Sequence, residues 1–321
     1  MRVAVTGGTG FVGSHLIEAL VARGDEVRAL VRPRTDPAGP SRAGATIVRG
    51  DMEDTASLEP LVAGCEVVYH LAAARGTGAN GHSGRVACDL LGSEALARLT
   101  ANDGARFVFT SSRGVLGRTR GTLDERTPLA PNTHYRDVKR RMEVRLVRLE
   151  TEVGLRHVTV RLPSTLGRRG HAWGGLFTAV GSGRFRMIGS GQQELHVGAV
   201  EDAVAGLIAA GTTEGVDGEL YMLGGAEVST LGEFLGYIAD SLGARLLRPH
   251  LPLWPYAVRV AVHRRVTGLR GGETMSPYEL FLQDYRVDDS KARRELGYRP
   301  RRATREAVED TAGWLRDAGR L

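Results

Sequence analysis

Residues 1–17 read MRVAVTGGTGFVGSHLI, and this stretch decides the fold. Val3-Ala4-Val5 is a short apolar run with almost no polar lead-in, the mark of a buried parallel strand. Thr6-Gly7-Gly8-Thr9-Gly10-Phe11-Val12-Gly13 follows, and helical periodicity then runs from Ser14 to about Ala22. Gly7 permits a tight turn out of the strand. Gly10 lets backbone amides close on a pyrophosphate at the helix start, and Gly13 lets the helix pack on the sheet. A glycine motif alone is weak. One that follows a strand and opens a helix predicts a dinucleotide site, with Phe11 and Val12 completing the loop.

Working outward, Glu26–Val31 reads as a second strand, Ala45–Arg49 as a third, Glu66–Ala74 as a fourth and Arg106–Ser112 as a fifth. Helical segments at 55–63 and 86–102 fall between them, with a glycine-rich loop at 75–84. Largely alternating strands and helices predict an α/β fold, a Rossmann-type doubly wound parallel sheet with ligands at the carboxyl ends of its strands. His157–Leu162 is a sixth strand. We expect a cofactor domain over 1–167, rejoined by 194–224, and a smaller, mostly helical substrate-binding part over 168–321. The run 168–191, with Trp173, Phe177, Phe185 and Met187, is expected over the substrate. The apolar run 251–266 is expected in the core rather than on a membrane surface, because its arginines form no clean face.

The second strand ends at Val31-Arg32-Pro33-Arg34, with no carboxylate to meet a ribose 2′-hydroxyl. Arg32 and Arg34 favour NADP(H) over NAD(H).

The 321 residues are 42% hydrophobic and 25% charged, an ordinary globular composition. The start shows no signal peptide and no apolar run reaches membrane-spanning length, so no stable membrane insertion is expected. Cys65 and Cys88 lie in apolar settings and read as buried, reduced thiols of a cytoplasmic protein. The net charge is +6, but the basic residues are scattered without aromatic interleaving, so nucleic acid is not the expected partner. The nine histidines make no spaced metal motif. Of the 43 basic residues only Lys139 and Lys291 are lysine. A lysine kept in so arginine-rich a chain is a candidate for a task arginine cannot do.

The fifth strand ends in Thr110-Ser111-Ser112, and a helix begins near Thr133. Tyr135 and Lys139 are four apart and share a helix face. An ammonium beside a phenol favours the phenolate and suits it to proton transfer at neutral pH. An ordinary amphipathic helix gives the same spacing. The preceding serines and the dinucleotide loop select the catalytic reading of Ser112, Tyr135 and Lys139.

Taken with TGGTGFVGSHL at 6–16, GDMED at 50–54, YHLAAA at 69–74, FTSSRGVLG at 109–117, YRDVK at 135–139, RLPSTLG at 161–167 and SKARRELGYRP at 290–300, the chain resembles the extended short-chain dehydrogenase/reductases. The resemblance spans nearly the whole chain. It implies that Asp51 and Met52 flank the adenine, that Leu71, Ala72 and Ala73 line the cofactor, and that Pro163 approaches the nicotinamide. It makes Ser112, Tyr135 and Lys139 the catalytic set, with Lys139 also reaching the nicotinamide ribose. Asp89 stands where an asparagine supporting the catalytic helix is usual. Relatives often dimerise through helices beside the catalytic one, which implies a homodimer.

Sugar-nucleotide epimerases of this family commonly place an asparagine after the sixth strand, where this chain has Ser164. They commonly place an arginine five residues before a V-x-D motif, here Val200-Glu201-Asp202, and that position is Leu195. Both departures remove a phosphate contact. The expected activity is an NADPH-dependent ketoreductase or alcohol dehydrogenase acting on a small, largely apolar carbonyl compound or alcohol. The alternative is a nucleotide-sugar epimerase, dehydratase or 4-ketoreductase.

Overall fold

The computed structural model describes residues 1–73, 82–118, 120–267 and 277–321, with the backbone alone for 82–89, 260, 263, 264, 266, 267 and 277–279. The expectations for Ala74, the loop at 75–81 and the polar interval near 268–272 lie outside the described residues, as do those for the side chains of Cys88 and Asp89; residues 82–84, expected in the loop, instead begin a helix.

The chain opens as read. Strand β1 (Arg2–Thr6) turns through the glycine loop into α1 (Phe11–Ala22), then β2 (Glu26–Val31), α2 (Ala38–Arg42), β3 (Thr46–Arg49), α3 (Glu59–Val62), β4 (Val67–His70), α4 (His82–Asn102) and β5 (Arg106–Ser112). A short strand β6 (Arg120–Leu123) precedes α5 (His134–Val153), β7 (Arg156–Leu162) and β8 (Ser164–Leu166). Next come α6 (Gly174–Gly181), β9 (Arg186–Ile188), β10 (Glu194–Leu195), β11 (Val197–Ala199), α7 (Val200–Thr212) and β12 (Leu220–Met222). The chain ends with β13 (Ser229–Thr230), α8 (Leu231–Ser241), β14 (Leu247–Leu251), α9 (Trp254–Thr267), β15 (Asp284–Val287), α10 (Ser290–Glu295) and α11 (Thr304–Asp317).

Seven strands form one parallel sheet in the order β12-β7-β5-β4-β1-β2-β3. The order reverses between β1 and β4, which opens a crevice at their carboxyl ends where such sheets bind ligands. Val3, Val5, Leu16, Ile17 and Tyr69 bury one face of the sheet together with Val204 and Leu207 of α7. The other face packs Val68, Phe107 and Phe109 against Leu96, Met142 and Leu146 of α4 and α5. Each helix therefore presents an apolar stripe to a sheet whose strands are apolar on both sides.

A second core joins α6, α8 and α11 to short strands. Phe177 and Met187 are buried in it, and Trp173 and Phe185 pack partly buried against it, so the run 168–191 is more than a surface connection. The regular elements of the second half are mainly helices, with short strands among them. Four two-stranded ribbons, β10-β13, β11-β8, β14-β9 and β15-β6, brace it. The expectation for 251–266 needs correcting. Leu251, Leu253 and Tyr256 do pack against the core, but Trp254, Val258 and Val262 are exposed. The segment is apolar on two sides, and only one of them is covered.

Candidate active site

The glycine loop is built by close contact. A Cβ on Gly13 would stand 2.2 Å from the Gly7 carbonyl oxygen, and one on Gly7 would stand 2.7 Å from the Ala72 amide nitrogen. Gly7 also has φ +74°, which an L side chain resists. Gly10 has φ −84°, which any residue can adopt, and donates its N–H to the Gly7 carbonyl at 2.9 Å; a Cβ on it would stand 3.1 Å from that backbone oxygen, a tight approach. Thr9 and Gly10 are exposed at the rim. The first helical bond is donated by Ser14 to Gly10, leaving the amides of Phe11, Val12 and Gly13 at the end of a 12-residue helix. Such an end favours an anion. The residues fit a dinucleotide pyrophosphate.

Leu71, Ala72 and Ala73 are half-buried beside this loop, and Ala72 donates its amide to Thr6 Oγ1 at 3.2 Å. Asp51 and Met52 are half-buried at the exit of β3, and Asp51 donates its amide to Ser57 Oγ at 3.1 Å. Arg32 and Arg34 are exposed just past β2. Arg49, to which the sequence reading gave no role, ends the neighbouring β3 and donates Nη1 to the carbonyls of Arg32 at 3.0 Å and Thr35 at 2.8 Å. It braces the turn that presents the two arginines. Pro163 is buried, with its Cγ 2.8 Å from where a Cβ on Gly198 would be.

Ser112 closes β5, opposite Leu162 of β7. Its Oγ accepts the Gly114 amide at 3.0 Å, which caps the short 3-10 turn over Arg113–Leu116. Thr133 caps α5 by accepting the Arg136 amide, so Tyr135 lies in that helix's first turn. Tyr135 is half-buried, and Lys139 is only 4% exposed. Lys139 Nζ stands 4.6 Å from the Phe109 ring centroid and 6.0 Å from that of Tyr135. Both rings present π-faces to the ammonium within cation–π reach. The other lysine, Lys291, pairs with Glu219 at 2.5 Å and donates to the Leu220 carbonyl at 2.9 Å, a tie far from this helix in sequence.

Three groups went unrecognised in the sequence. His70, at the end of β4, shares hydrogen bonds with Thr6 Oγ1 at 2.7 Å and Ser93 Oγ at 2.8 Å. Its pKa is pushed well below the usual imidazole range, first by burial and then by the charge of Lys139. Glu143, one turn past Lys139, accepts Ser111 Oγ at 2.5 Å and both Nε and Nη2 of Arg161. Arg113, next to Ser112, is buried, with its guanidinium 4.0 Å from the Tyr285 ring centroid and Nη2 donating to Gln283 at 3.1 Å. Only a buried strand-end histidine and a third residue on the Tyr135-Lys139 helix face were there to be noticed beforehand.

Ser164 opens β8 and pairs with Val197, while Leu195 is 1% exposed and lies in the second core. An arginine there would carry its charge into apolar surroundings.

The model of the NAD dependent epimerase/dehydratase family matches residues 3–224. The chain belongs to that family. It is an extended short-chain dehydrogenase/reductase, an NAD(P)-dependent oxidoreductase by type. A 4-hydroxy-2-methyl-3-oxo-4-farnesyl-3,4-dihydroquinoline-1-oxide ketoreductase of Stigmatella aurantiaca is 32% identical over 99% of this chain and 97% of its own. Sterol demethylase protein B of Methylococcus capsulatus is 29% identical over the full length of both chains. The crystal structure of a UDP-glucuronic acid 4-epimerase from Bacillus cereus with NAD superposes with a TM-score of 0.79 over 99% of each chain, at 21% identity, and shares the fold of this dehydrogenase/reductase.

Proposed function

We propose that this protein reduces a ketone on a small, largely apolar molecule with NADPH, or runs the reverse oxidation of the alcohol. The carrying observation is Leu195, buried in apolar surroundings at the position where nucleotide-sugar enzymes of the family commonly put a phosphate-binding arginine. The similarity to a ketoreductase named for a farnesylated substrate supports the same reading.

In this reading Gly7, Gly10, Phe11, Val12 and Gly13 hold the pyrophosphate at the start of α1. Asp51 and Met52 flank the adenine, Leu71, Ala72 and Ala73 line the cofactor, and Pro163 approaches the nicotinamide. Arg32 and Arg34, braced by Arg49, meet the 2′-phosphate. When bound, the cofactor supplies a hydride to the carbonyl carbon. Tyr135 gives its hydroxyl proton to the carbonyl oxygen, and the resulting phenolate is reprotonated from solvent. The Lys139 ammonium stabilises that phenolate. Ser112 Oγ already accepts the Gly114 amide, so its own proton can be donated to the same oxygen.

The reading includes a cytoplasmic enzyme, supported by the buried free thiol of Cys65. It also includes a homodimer. Leu91 of α4 and Val144 and Val147 of α5 are exposed at 63%, 42% and 58%, apolar surface on the catalytic helix and its neighbour.

Turnover of lipophilic ketones with consumption of NADPH is the expected result. Tyr135→Phe should lower it by about 10²–10⁴-fold while leaving NADPH binding in place. Equal activity in that variant removes Tyr135 from the mechanism. The family's epimerases and dehydratases favour a second reading, in which the substrate is a nucleotide sugar. A thermal shift with UDP- or dTDP-sugars would promote it, and none across a panel would set it aside.

A further inference from the structure

Helix α9 is apolar on two sides. Leu251, Leu253 and Tyr256, in and just before it, face the second core. Trp254, Val258 and Val262, each four residues apart, lie on one outward face and are 70%, 55% and 56% exposed. Ala261 is exposed as well. A tryptophan and two valines in a row carry an apolar area that water does not favour. Arg259 and Arg265 are exposed on the same helix, and Arg245 and Arg248 on or before strand β14, which leads into it.

The charge is concentrated here. Residues 241–272 contain six arginines and no aspartate or glutamate. Removing those six from the chain's 43 basic residues leaves 37, equal to its 37 acidic residues. The segment's excess of six positive charges thus equals the net charge of the whole chain. An apolar stripe with long cationic side chains around it fits an interface where hydrocarbon lies beneath anionic headgroups. Arginine stems can lie along the apolar layer while their guanidinium groups reach the phosphates.

We propose that the outward face of α9 docks on an anionic phospholipid surface, with Trp254, Val258 and Val262 entering the headgroup region and the neighbouring arginines pairing with lipid phosphates. The helix packs on the 3-10 turn over Pro277–Leu282. Arg118 Nε donates to the carbonyl of Leu282, the last residue of that turn, at 3.3 Å, and Arg113 binds the next residue, Gln283, at 3.1 Å. The docking face is thus connected through one short element to the segment that follows Ser112. The inference stands on exposure and charge, and it does not depend on which reaction the site performs.

The test is co-sedimentation with vesicles of phosphatidylcholine alone and of phosphatidylcholine mixed with phosphatidylglycerol. The full chain should pellet with the mixed vesicles at low salt, lose binding as salt rises, and stay in solution with phosphatidylcholine alone. The triple variant Trp254→Ser, Val258→Ser, Val262→Ser and the double variant Arg259→Gln, Arg265→Gln should each bind about tenfold more weakly. Unchanged circular dichroism and an unchanged NADPH thermal shift would show that both variants fold. No capture on the mixed vesicles overturns the proposal, and so does capture that neither variant weakens. If the triple substitution instead dissolves a self-association, with no vesicle binding by the parent, the face is a contact between copies and the proposal falls.

Discussion

Glu143 and Arg161 form a two-pronged ion pair, with Nε at 3.1 Å from Oε1 and Nη2 at 2.8 Å from Oε2. Their side chains are 6% and 4% exposed. Ser111 Oγ adds a third donor to the carboxylate. The pair fastens α5 to β7 and β5, and Tyr135 and Lys139 ride on the same face of α5. Both charges are compensated only while both partners remain. Glu143→Ala is expected to lower unfolding free energy by about 3–5 kcal/mol, because Arg161 is left as an uncompensated buried charge. Glu143→Gln should cost less and should impair turnover more than NADPH affinity. Urea denaturation and steady-state kinetics on the same samples check both.

Gly13→Ala places a methyl group 2.2 Å from the Gly7 backbone oxygen, where no flexible side chain can yield. We expect about 1–3 kcal/mol of lost stability from the overpacked turn. NADPH binding, measured by calorimetry, should fall below detection.

Cofactor preference should follow the turn that Arg49 braces. Arg32→Asp is expected to weaken NADPH by about tenfold relative to NADH, since a charge-assisted contact becomes a repulsion. Arg49→Ala should weaken NADPH through the same turn without touching NADH to the same degree. The ratio of kcat/KM for the two cofactors is the readout. An unchanged ratio in Arg32→Asp removes that residue from cofactor selection.

His70, His157 and His196 are buried, and burial is the leading cause pushing each pKa down. The unfolded chain accepts protons on imidazoles near about pH 6.5, while the folded protein resists them. Unfolding therefore takes up protons below that pH. Stability should be fully present above about pH 6.5 and decline as pH drops beneath it, by at most about 1.4 kcal/mol per pH unit per histidine. Urea midpoints taken from about pH 8 to about pH 5 will show the slope, and His70→Gln should flatten it.

Val147→Glu puts a charge on the exposed apolar side of α5. If that face joins two copies, sedimentation velocity should show a monomer for the variant and a dimer for the parent.

Much of the cofactor half was legible because its signals are local. The strand Arg106–Ser112 and the helix that Thr133 caps fall where their patterns put them. The ribbon of β6 and β15 was not legible. Arg120-Gly121-Thr122-Leu123 has no strand pattern of its own and is held by partners at 284–287, more than 160 residues on. Glu143 and Arg161 carry no joint signal along the chain, and only strand order brings them together. The exposed stripe of α9 was hidden for a different reason. Its apolar residues lie on opposite sides and its arginines form no clean face in the periodicity, and that pattern favours a core assignment.

Strand β12 and helix α7 come from beyond residue 199, yet they complete the sheet edge and cover one of its faces. No single cut after Gly167 would release an intact nucleotide-binding half, for its last strand would depart with the other fragment. Anyone wishing to exchange the second half between relatives will have to swap two separated pieces and leave the stretch between them untouched.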